Sequence, residues 1–304
     1  MTELAPPDRR IHFLHIPKTA GTSVASLVRN AYPADESIPA YFWHELPGMD
    51  RTRLNGYRCY AGHFGTILQD MLTGPIPTVT MLRDPLEHYV SRAAHNLRWL
   101  DQQDVTVDLV RQQVRLATGD SDLSDAQADA MLSAARSGNV GPLLGHPLLV
   151  RSGVDLQTRT LGVHFDLDWL RACESYKVYE ALLTEQAPGA ASDAVYRAAV
   201  ASLEGMEVVG LVERMTDSIT LICRYLGIPA PPEVPLKNAN PARPQGRTSY
   251  RESGMLTAAH MSMVAKVTER DRELYERGRA IHAKQMKRAQ RRWWRMLPWP
   301  VRSA

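Results

Sequence analysis

The chain has little of what marks secreted, disulfide-bonded or membrane-spanning proteins. Its 304 residues include three cysteines, Cys59, Cys173 and Cys223, which are too few and too widely spaced for a disulfide framework or a cysteine metal site. No run approaches the roughly 20 apolar residues of a membrane-spanning helix. The first ten residues lack the apolar centre of a signal peptide. We therefore expect a protein of a reducing compartment, the cytoplasm, without a bound metal.

An excess of charge of one sign is also missing. Lysine and arginine number 36 against 33 acidic residues, which gives a formal net charge of +3. So small an excess does not create the broad positive field of a polyanion-binding protein, and we expect no nucleic-acid partner. The hydrophobic fraction of 44% is sufficient for the core of one large α/β domain.

The stretch from Ile11 to Ser23, I-H-F-L-H-I-P-K-T-A-G-T-S, predicts a strand, a tight turn and a helix. Pro17 ends the strand because it has no N–H to donate to a neighbour, and apolar residues recur at helical spacing from Val24. This geometry gathers backbone N–H groups around an anion. The side chains that add a cation and hydroxyl groups to the turn are Lys18, Thr19, Thr22 and Ser23. The turn is therefore a predicted site for a phosphate-like group.

The turn is not a Walker A loop, which has the sequence G-x-x-x-x-G-K-[ST] with its lysine near the end. Here Lys18 stands at the start, directly after a proline. The run H-I-P-K-T-A-G-T-S instead resembles the 5′-phosphosulfate loop of sulfotransferases that use 3′-phosphoadenosine 5′-phosphosulfate (PAPS). The closest resemblance is to the branch with heparan sulfate 2-O-sulfotransferase and bacterial carbohydrate sulfotransferases. It implies a three-layer, P-loop-like α/β fold with a mainly parallel sheet. The residues it assigns to the 5′-phosphosulfate are Lys18, Thr19, Ala20, Gly21, Thr22 and Ser23.

A second motif follows the predicted strand Thr78–Leu82, where Arg83-Asp84-Pro85 opens a helical pattern that contains Ser91. The carboxyl ends of parallel strands are where open α/β sheets bind ligands. The resemblance implies that Arg83 and Ser91 bind the 3′-phosphate, since arginine pairs with phosphate through two hydrogen bonds. Family members usually carry another arginine five residues after the first, and this chain has His88 there.

The resemblance also implies a catalytic base. His63 follows Gly62 at the end of a strand-like stretch, and imidazole suits the removal of a proton from an acceptor hydroxyl. The alternative is a histidine that serves the core or ends the strand. His44 and Glu45 are the next candidates for the base, whereas His12 and His15 are predicted to serve structure.

Later segments match the family more loosely. G-L-V-E-R at residues 210–214 precedes an amphipathic helix that ends near Gly227, and residues 192–204 also predict a helix. A basic loop containing Lys237 and Arg243 is expected to fold over the nucleotide, the alternative being a solvated loop. D-R-E-L-Y-E at residues 271–276 resembles a closing structural helix.

These motifs predict a sulfotransferase domain over residues 1–279. Within it, residues 97–175 are a helical insertion on the acceptor side or simply a helical cover, with a helix at 122–137 and a returning strand at 175–179. Residues 280–304 are a basic tail with Trp293, Trp294 and Trp299 and no acidic residue. That composition suits peripheral contact with an anionic membrane, an acidic glycan or a disordered tail.

The predicted activity is transfer of a sulfuryl group from PAPS to a hydroxyl of a carbohydrate or glycolipid, without metal. His63 is the predicted base, and Lys18 neutralises the charge that develops on the leaving phosphate. Two alternatives stay open. One is a kinase-like nucleotide-binding protein, and the other is an inactive PAPS-binding relative.

Overall fold

The structure, a computed structural model, describes four long ranges of the chain: residues 9–102, 153–164, 190–233 and 249–296. It also describes short stretches at residues 124, 126–127, 129–130, 133, 140–141, 144–145 and 150. Predictions for Lys237, Arg243 and the strand at 175–179 lie outside these residues. In the predicted helix at 122–137, positions 126–127, 129–130 and 133 are helical.

A central four-stranded sheet organises the fold. Its strands are β1 (Ile11–Leu14), β2 (Cys59–Gly62), β3 (Thr78–Leu82) and β4 (Val208–Leu211), and each of their residues is buried. The order across the sheet is β2-β1-β3-β4, and every neighbouring pair is parallel. Burial on both faces is the expected condition for a parallel sheet. The predicted α/β architecture with a parallel sheet is confirmed.

Helices cover the sheet on both sides. In chain order the helices used below are α1 (Gly21–Arg29), α2 (Arg51–Gly56), α3 (Ile67–Met71), α4 (Pro85–Gln102), α5 (Leu156–Gly162), α6 (Asp193–Glu204), α7 (Met215–Leu226), α8 (Ala258–Val267) and α9 (Glu269–Met296). α6 confirms the helix predicted at 192–204. The predicted end of α7 is also confirmed, because Gly227 caps it with φ of 74°, a left-handed conformation that glycine adopts without steric cost.

Side chains of the strands contribute to two hydrophobic cores, one on each face of the sheet. Phe13 packs with α1 and α7 on one face of the sheet, and Leu14 packs with α6 and α9 on the other. A third cluster around Trp43 and Phe64 lies beside β2. Full burial of a large apolar side chain contributes about 1.5–3 kcal/mol, so these clusters hold the loops after the strands on a rigid base.

The order of the strands determines where a ligand can bind. The chain moves from β1 to β2 on one side of β1, and then returns to β3 on the other side. In open α/β sheets, ligands bind at such a reversal, outside the carboxyl ends of the two strands. Here these strands are β1 and β3, and we call the position beyond their carboxyl ends the crevice. The Lys18 turn and Arg83 directly follow these two strands.

The last described helix spans the position of the predicted domain boundary. α9 continues without a break through residue 280, where the composition becomes basic. Its inner side contacts the body beyond that point: His282 Nδ1 bonds to Val209 O at 2.9 Å, and Met286 and Ala289 pack against the core. The predicted boundary therefore falls inside a helix that packs on the sheet, because composition averages over the two faces of a helix and does not show which face is buried.

One described helix lies within the range predicted as an insertion. α5 is buried along its whole length and packs against α6. Among the described residues, no helix is both long enough and apolar enough to cross a membrane.

Candidate functional site

The turn after β1 has an unusual backbone. Lys18 and Ala20 adopt φ of 68° and 59°, a left-handed conformation that costs a residue with a side chain about 1–3 kcal/mol and is often found at functional sites. The turn is closed by Ser23 N–H, which donates to Ala20 O at 3.1 Å. Thr19 was predicted to donate to a ligand, but its buried hydroxyl donates to Ile16 O at 2.8 Å. Thr19 therefore stabilises the turn from within.

His88, on α4, bonds to the backbone at the start of the same turn. Its Nε2 donates to Pro17 O at 2.8 Å, which is the only direction possible because a carbonyl oxygen accepts. Burial lowers the pKa of His88 to about 3, so the ring is neutral near pH 7. At the position where an arginine was expected, the chain thus has an uncharged residue that fixes the turn.

Arg83 meets the turn across the crevice. Its Nη1 donates to Lys18 O at 3.1 Å, and its Nη2 lies 3.5 Å from Glu87 Oε2. The backbone of Arg83 is held on both sides by Gln157, whose amide accepts from Arg83 N at 3.0 Å and donates to Arg83 O at 2.9 Å. The fold therefore brings together Lys18 and Arg83, which are 65 positions apart in sequence.

α4 carries the remaining side chains of this motif. Ser91, partly exposed, lies three residues after His88 and hence on the same side of the helix. Arg92, the next residue, is buried, and its charge contributes to the lowered pKa of His88. Arg92 was missed by the sequence analysis, because burial of an arginine has no signature in a single sequence.

The segments G-L-V-E-R (residues 210–214) and D-R-E-L-Y-E (residues 271–276) contact each other next to Asp84. Glu213, in the G-L-V-E-R segment, accepts from Asp84 N at 2.9 Å and from the Tyr275 hydroxyl at 2.7 Å. Burial and the hydrogen bond from Tyr275 to Glu213 raise the pKa of that phenol. Asp84 caps α4 by accepting from Leu86 N and Glu87 N, each at 3.1 Å. Both motifs thus position the end of β3.

The segment after the predicted basic loop returns to this site. Arg251 N donates to Glu87 Oε1 at 3.2 Å, and the exposed Arg251 guanidinium lies 3.9 Å from Asp84 Oδ2. Arg251 was not predicted. The chain therefore places one more cation next to Arg83, while Lys237 and Arg243 lie outside the described residues.

His63 occupies the end of β2 next to the Lys18 turn. Glycine is required before it, because a Cβ on Gly62 would lie 2.5 Å from Tyr41 O. His63 Nδ1 donates to His15 O at 3.0 Å. In the neutral ring this bond leaves the lone pair on Nε2. The ring stacks between those of His15 and Phe42, with centroid distances of 3.9 and 5.8 Å.

His15 connects His63 to the Lys18 turn. Its buried ring covers Gly21, where a Cβ would come within 1.7 Å of His15 Cδ2. Its Nδ1 lies 3.1 Å from the Tyr41 hydroxyl, which also bonds to the Thr22 side chain. Burial, with smaller effects of His63 and Lys18, lowers the pKa of His15 well below its ordinary value. Because His15 is neutral, its ring would not repel a positive charge on the stacked His63 ring.

Two other ionisable residues considered in the sequence, Glu45 and His12, have contacts or burial typical of structural residues. The Glu45 carboxylate accepts from Tyr41 N and Phe42 N, at 3.3 and 3.0 Å, and so orders the segment beside His63. His12 is fully buried, and neither of its ring nitrogens has a hydrogen-bond partner among the described residues. Burial lowers its pKa to about 3. The side chain of His44 lies outside the part that the structure describes.

A buried pair of carboxylates supports Gln157. Asp155 accepts from Arg270 N and Asp271 N, at 3.0 and 3.1 Å, at the start of α9. In return, Asp271 accepts from Gln157 N and Thr158 N, at 3.2 and 2.7 Å, at the start of α5. Each carboxylate satisfies N–H groups that the first turn of a helix leaves without partners. Burial and the charge of Asp155 raise the pKa of Asp271 to about 7.

This pair makes stability depend on pH. The pKa of an aspartate in the unfolded chain is about 3.9, so between about pH 4 and 7 the folded chain holds a proton that the unfolded chain has lost. Stability from this source rises as pH falls. We compare the free energy of unfolding of wild type with that of Asp271→Asn. As pH falls from about 8 to 5, this difference should change in favour of wild type, by up to about 1.4 kcal/mol per pH unit.

Urea unfolding at a series of pH values measures this difference. Because the two carboxylates interact, the slope belongs to the pair. Asp35→Asn, at an exposed position, is the control and should follow wild type at each pH. A difference between wild type and Asp271→Asn that does not change with pH would show that Asp271 is ionised throughout.

In the described part of the chain, no group of three or more histidine, cysteine, aspartate or glutamate side chains is arranged to hold a metal ion. Comparison with known proteins adds no assignment: no family model matches the chain, and no curated protein matches it significantly. A functional assignment therefore depends on the residues of the crevice.

Proposed function

We propose that this chain is a PAPS-dependent sulfotransferase with a P-loop-like fold. The observation that carries the proposal is the junction between β1 and β3. There the turn after β1 contributes Lys18, Arg83 donates to that turn at 3.1 Å, and His63 bonds at 3.0 Å to His15, which directly precedes the turn. A phosphate-binding turn, a second cation and a general base are the groups that sulfuryl transfer from a nucleotide requires.

Each residue has a role in the proposed reaction. Residues 18–23 hold the 5′-phosphosulfate through backbone N–H groups and Lys18. Arg83 and Ser91 bind the 3′-phosphate. Lys237 and Arg243, which lie outside the described residues, are the further nucleotide-binding cations of this proposal. Thr19 contributes by stabilising the turn, since its proton is given to Ile16 O.

The transfer itself is a single displacement at sulfur. The acceptor oxygen forms a bond to sulfur while its proton passes to His63 Nε2. The bond between sulfur and the bridging phosphate oxygen breaks, and its electron pair stays on that oxygen, where Lys18 neutralises the charge. His15 keeps the base in place through its carbonyl and stays neutral beside the protonated ring. The acceptor is a hydroxyl of a carbohydrate or glycolipid.

One observation favours a second candidate, a relative that binds the nucleotide without transferring sulfuryl. His88 is neutral and bonded to Pro17 O, so it cannot supply the charge of the arginine expected there. Arg92 and Arg251 provide positive charge nearby, which supports the active form. A transfer assay with radiolabelled PAPS across glycan acceptors separates the two, because the inactive relative would bind and not turn over.

Nucleotide binding tests the proposal before any acceptor is known. We expect adenosine 3′,5′-bisphosphate to raise the melting temperature and ATP at equal concentration to have little effect. Arg83→Ala should weaken bisphosphate binding by about 1.5–3 kcal/mol, the range for a charged hydrogen bond. Adenosine 5′-phosphosulfate, which lacks the 3′-phosphate, should bind nearly as before. Calorimetric titration measures both affinities.

The comparison of two ligands matters because Arg83 also bonds to the turn. A loss caused by a displaced turn would affect both ligands equally, and would mean that Arg83 supports the fold without selecting the donor. Arg279→Ala removes an exposed guanidinium that pairs with Glu276 and serves as the control. Stronger stabilisation by ATP than by the bisphosphate would favour a kinase-like protein.

A further inference from the structure

The outer side of α9 carries a line of cations. Lys284, Lys287, Arg288 and Arg291 are all exposed, and their spacing of i, i+3, i+4 and i+7 places them on one face of the helix. We call these four residues the basic stripe. No ion pair joins them to an acidic side chain in the described ranges, and no acidic residue follows Glu276 in the sequence.

The opposite face of the same turns is attached to the body. Gln285 accepts from Val209 N at 3.0 Å and donates to Glu207 O at 3.1 Å, while His282 bonds to Val209 O. Met286 and Ala289 pack against the core that α7 shares. The basic stripe is therefore presented by a helix whose rotation is fixed, so all four cations point away from the protein together.

The contacts of α9 also define its direction. Tyr275 bonds to Glu213 just beyond the carboxyl end of β4, and Gln285 bonds to the residues at its amino end. α9 therefore runs antiparallel to β4, and its basic half lies at the edge of the sheet opposite the Lys18 crevice. From Tyr275 to Arg288 the helix rises about 20 Å at 1.5 Å per residue.

Two more cations lie at this amino edge. Arg9, just before β1, is exposed and stacks on the Tyr225 ring at 5.3 Å. Arg224, near the end of α7, is also exposed. A net charge of only +3 for the whole chain makes this local concentration of positive charge a property of the edge and not of the whole surface.

We propose that the basic stripe docks the protein on an anionic membrane surface, with the Lys18 crevice left uncovered. A fixed row of cations is complementary to a plane of anionic headgroups. The tryptophans that follow in the sequence, Trp293, Trp294 and Trp299, are of the type that prefers the membrane interface. The bases of a single-stranded nucleic acid can also stack on tryptophan, but the net charge of only +3 lacks the broad positive field of a nucleic-acid-binding protein.

Docking by the stripe leaves the crevice open because the two lie at opposite edges of the sheet. If the proposed function is correct, soluble acceptors reach His63 from the aqueous side while the protein is bound. Membrane binding itself requires no transfer activity, so its test is independent of the proposed function.

The test uses the full chain and vesicles of phosphatidylcholine with about 30% phosphatidylserine. We compare wild type with the variant Lys284→Gln, Lys287→Gln, Arg288→Gln and Arg291→Gln. The matched control has the same change in net charge at four other exposed positions: Arg51→Gln, Arg197→Gln, Lys266→Gln and Arg272→Gln. Melting temperature and helical circular dichroism establish that all three proteins are folded.

Wild type should sediment with the anionic vesicles at low salt and not with pure phosphatidylcholine. Each cation near an anionic surface changes affinity about fivefold, so the stripe variant should bind about 10²–10³-fold more weakly, whereas the control stays within a few-fold of wild type. Added salt should weaken binding, since charges are screened within about 10 Å at 0.1 M.

Three results would overturn the proposal. The first is absence of wild type from the anionic vesicle pellet at low salt. The second is an equal loss of affinity in the stripe and control variants, which would reflect net charge alone. The third is tighter binding of wild type to a single-stranded oligonucleotide than to vesicles, abolished in the stripe variant. Loss of vesicle binding in the stripe variant with unchanged bisphosphate affinity supports it.

Discussion

Lys18→Ala is expected to reduce sulfuryl transfer by about 10²-fold or more, the effect of removing one group that stabilises charge in a transition state. The affinity for adenosine 3′,5′-bisphosphate should fall less, because backbone N–H groups of the turn remain. The position of Lys18 supports this expectation: it stands in the turn after β1, and its carbonyl oxygen accepts from Arg83 at 3.1 Å. Steady-state kinetics with labelled PAPS measure the change.

The backbone of Lys18 provides a control for this substitution. Its φ of 68° strains alanine as much as lysine, whereas glycine would relieve the strain. Lys18→Gly should therefore be as inactive as Lys18→Ala although its turn is less strained. Lys266→Ala, which removes an exposed lysine of α8, should behave as wild type. Turnover of Lys18→Ala within a few-fold of wild type would remove Lys18 from the mechanism.

His63→Ala should lower turnover by about 10²–10⁴-fold, the range for a general base, with bisphosphate affinity and melting temperature nearly unchanged. The loss of rate on the acidic side of neutrality, where an imidazole takes up a proton, should disappear with the side chain. His63→Gln should be equally inactive, because its amide can still donate to His15 O but has no basic nitrogen.

Chemical rescue distinguishes a base from a structural histidine. Added imidazole should restore part of the activity of His63→Ala, because the lost ring leaves space between His15 and Phe42. His260→Ala, which removes an imidazole from the start of α8, should be unaffected by imidazole. A His63→Ala protein that melts early and is not rescued would show that His63 serves the core. Normal rates would transfer the role to His44 or Glu45.

Short stretches of sequence were sufficient to predict the parts of the fold whose structure is local. The pattern from Ile11 to Ser23 predicted a strand, a turn and a helix, because Pro17 ends a strand and apolar spacing changes from strand to helix within a few residues. Gly227 predicted the end of α7, because glycine adopts the left-handed conformation of a helix cap without steric cost. The carboxyl ends of β1 and β3 could be expected to meet, since parallel strands place them at one edge.

The hydrogen bonds that hold the crevice together could not be predicted, because they form between distant parts of the chain. The bonds from Gln157 to Arg83, from Tyr275 to Glu213 and from His88 to Pro17 join residues more than 60 positions apart. Likewise, the boundary predicted at residue 280 lies inside α9, because composition averages the two faces of a helix that packing separates. Helices, strands and the chemical groups at their ends could be predicted from the chain alone, since they depend on neighbouring residues. Partners and burial, which depend on distant residues packed together, were decided by the fold.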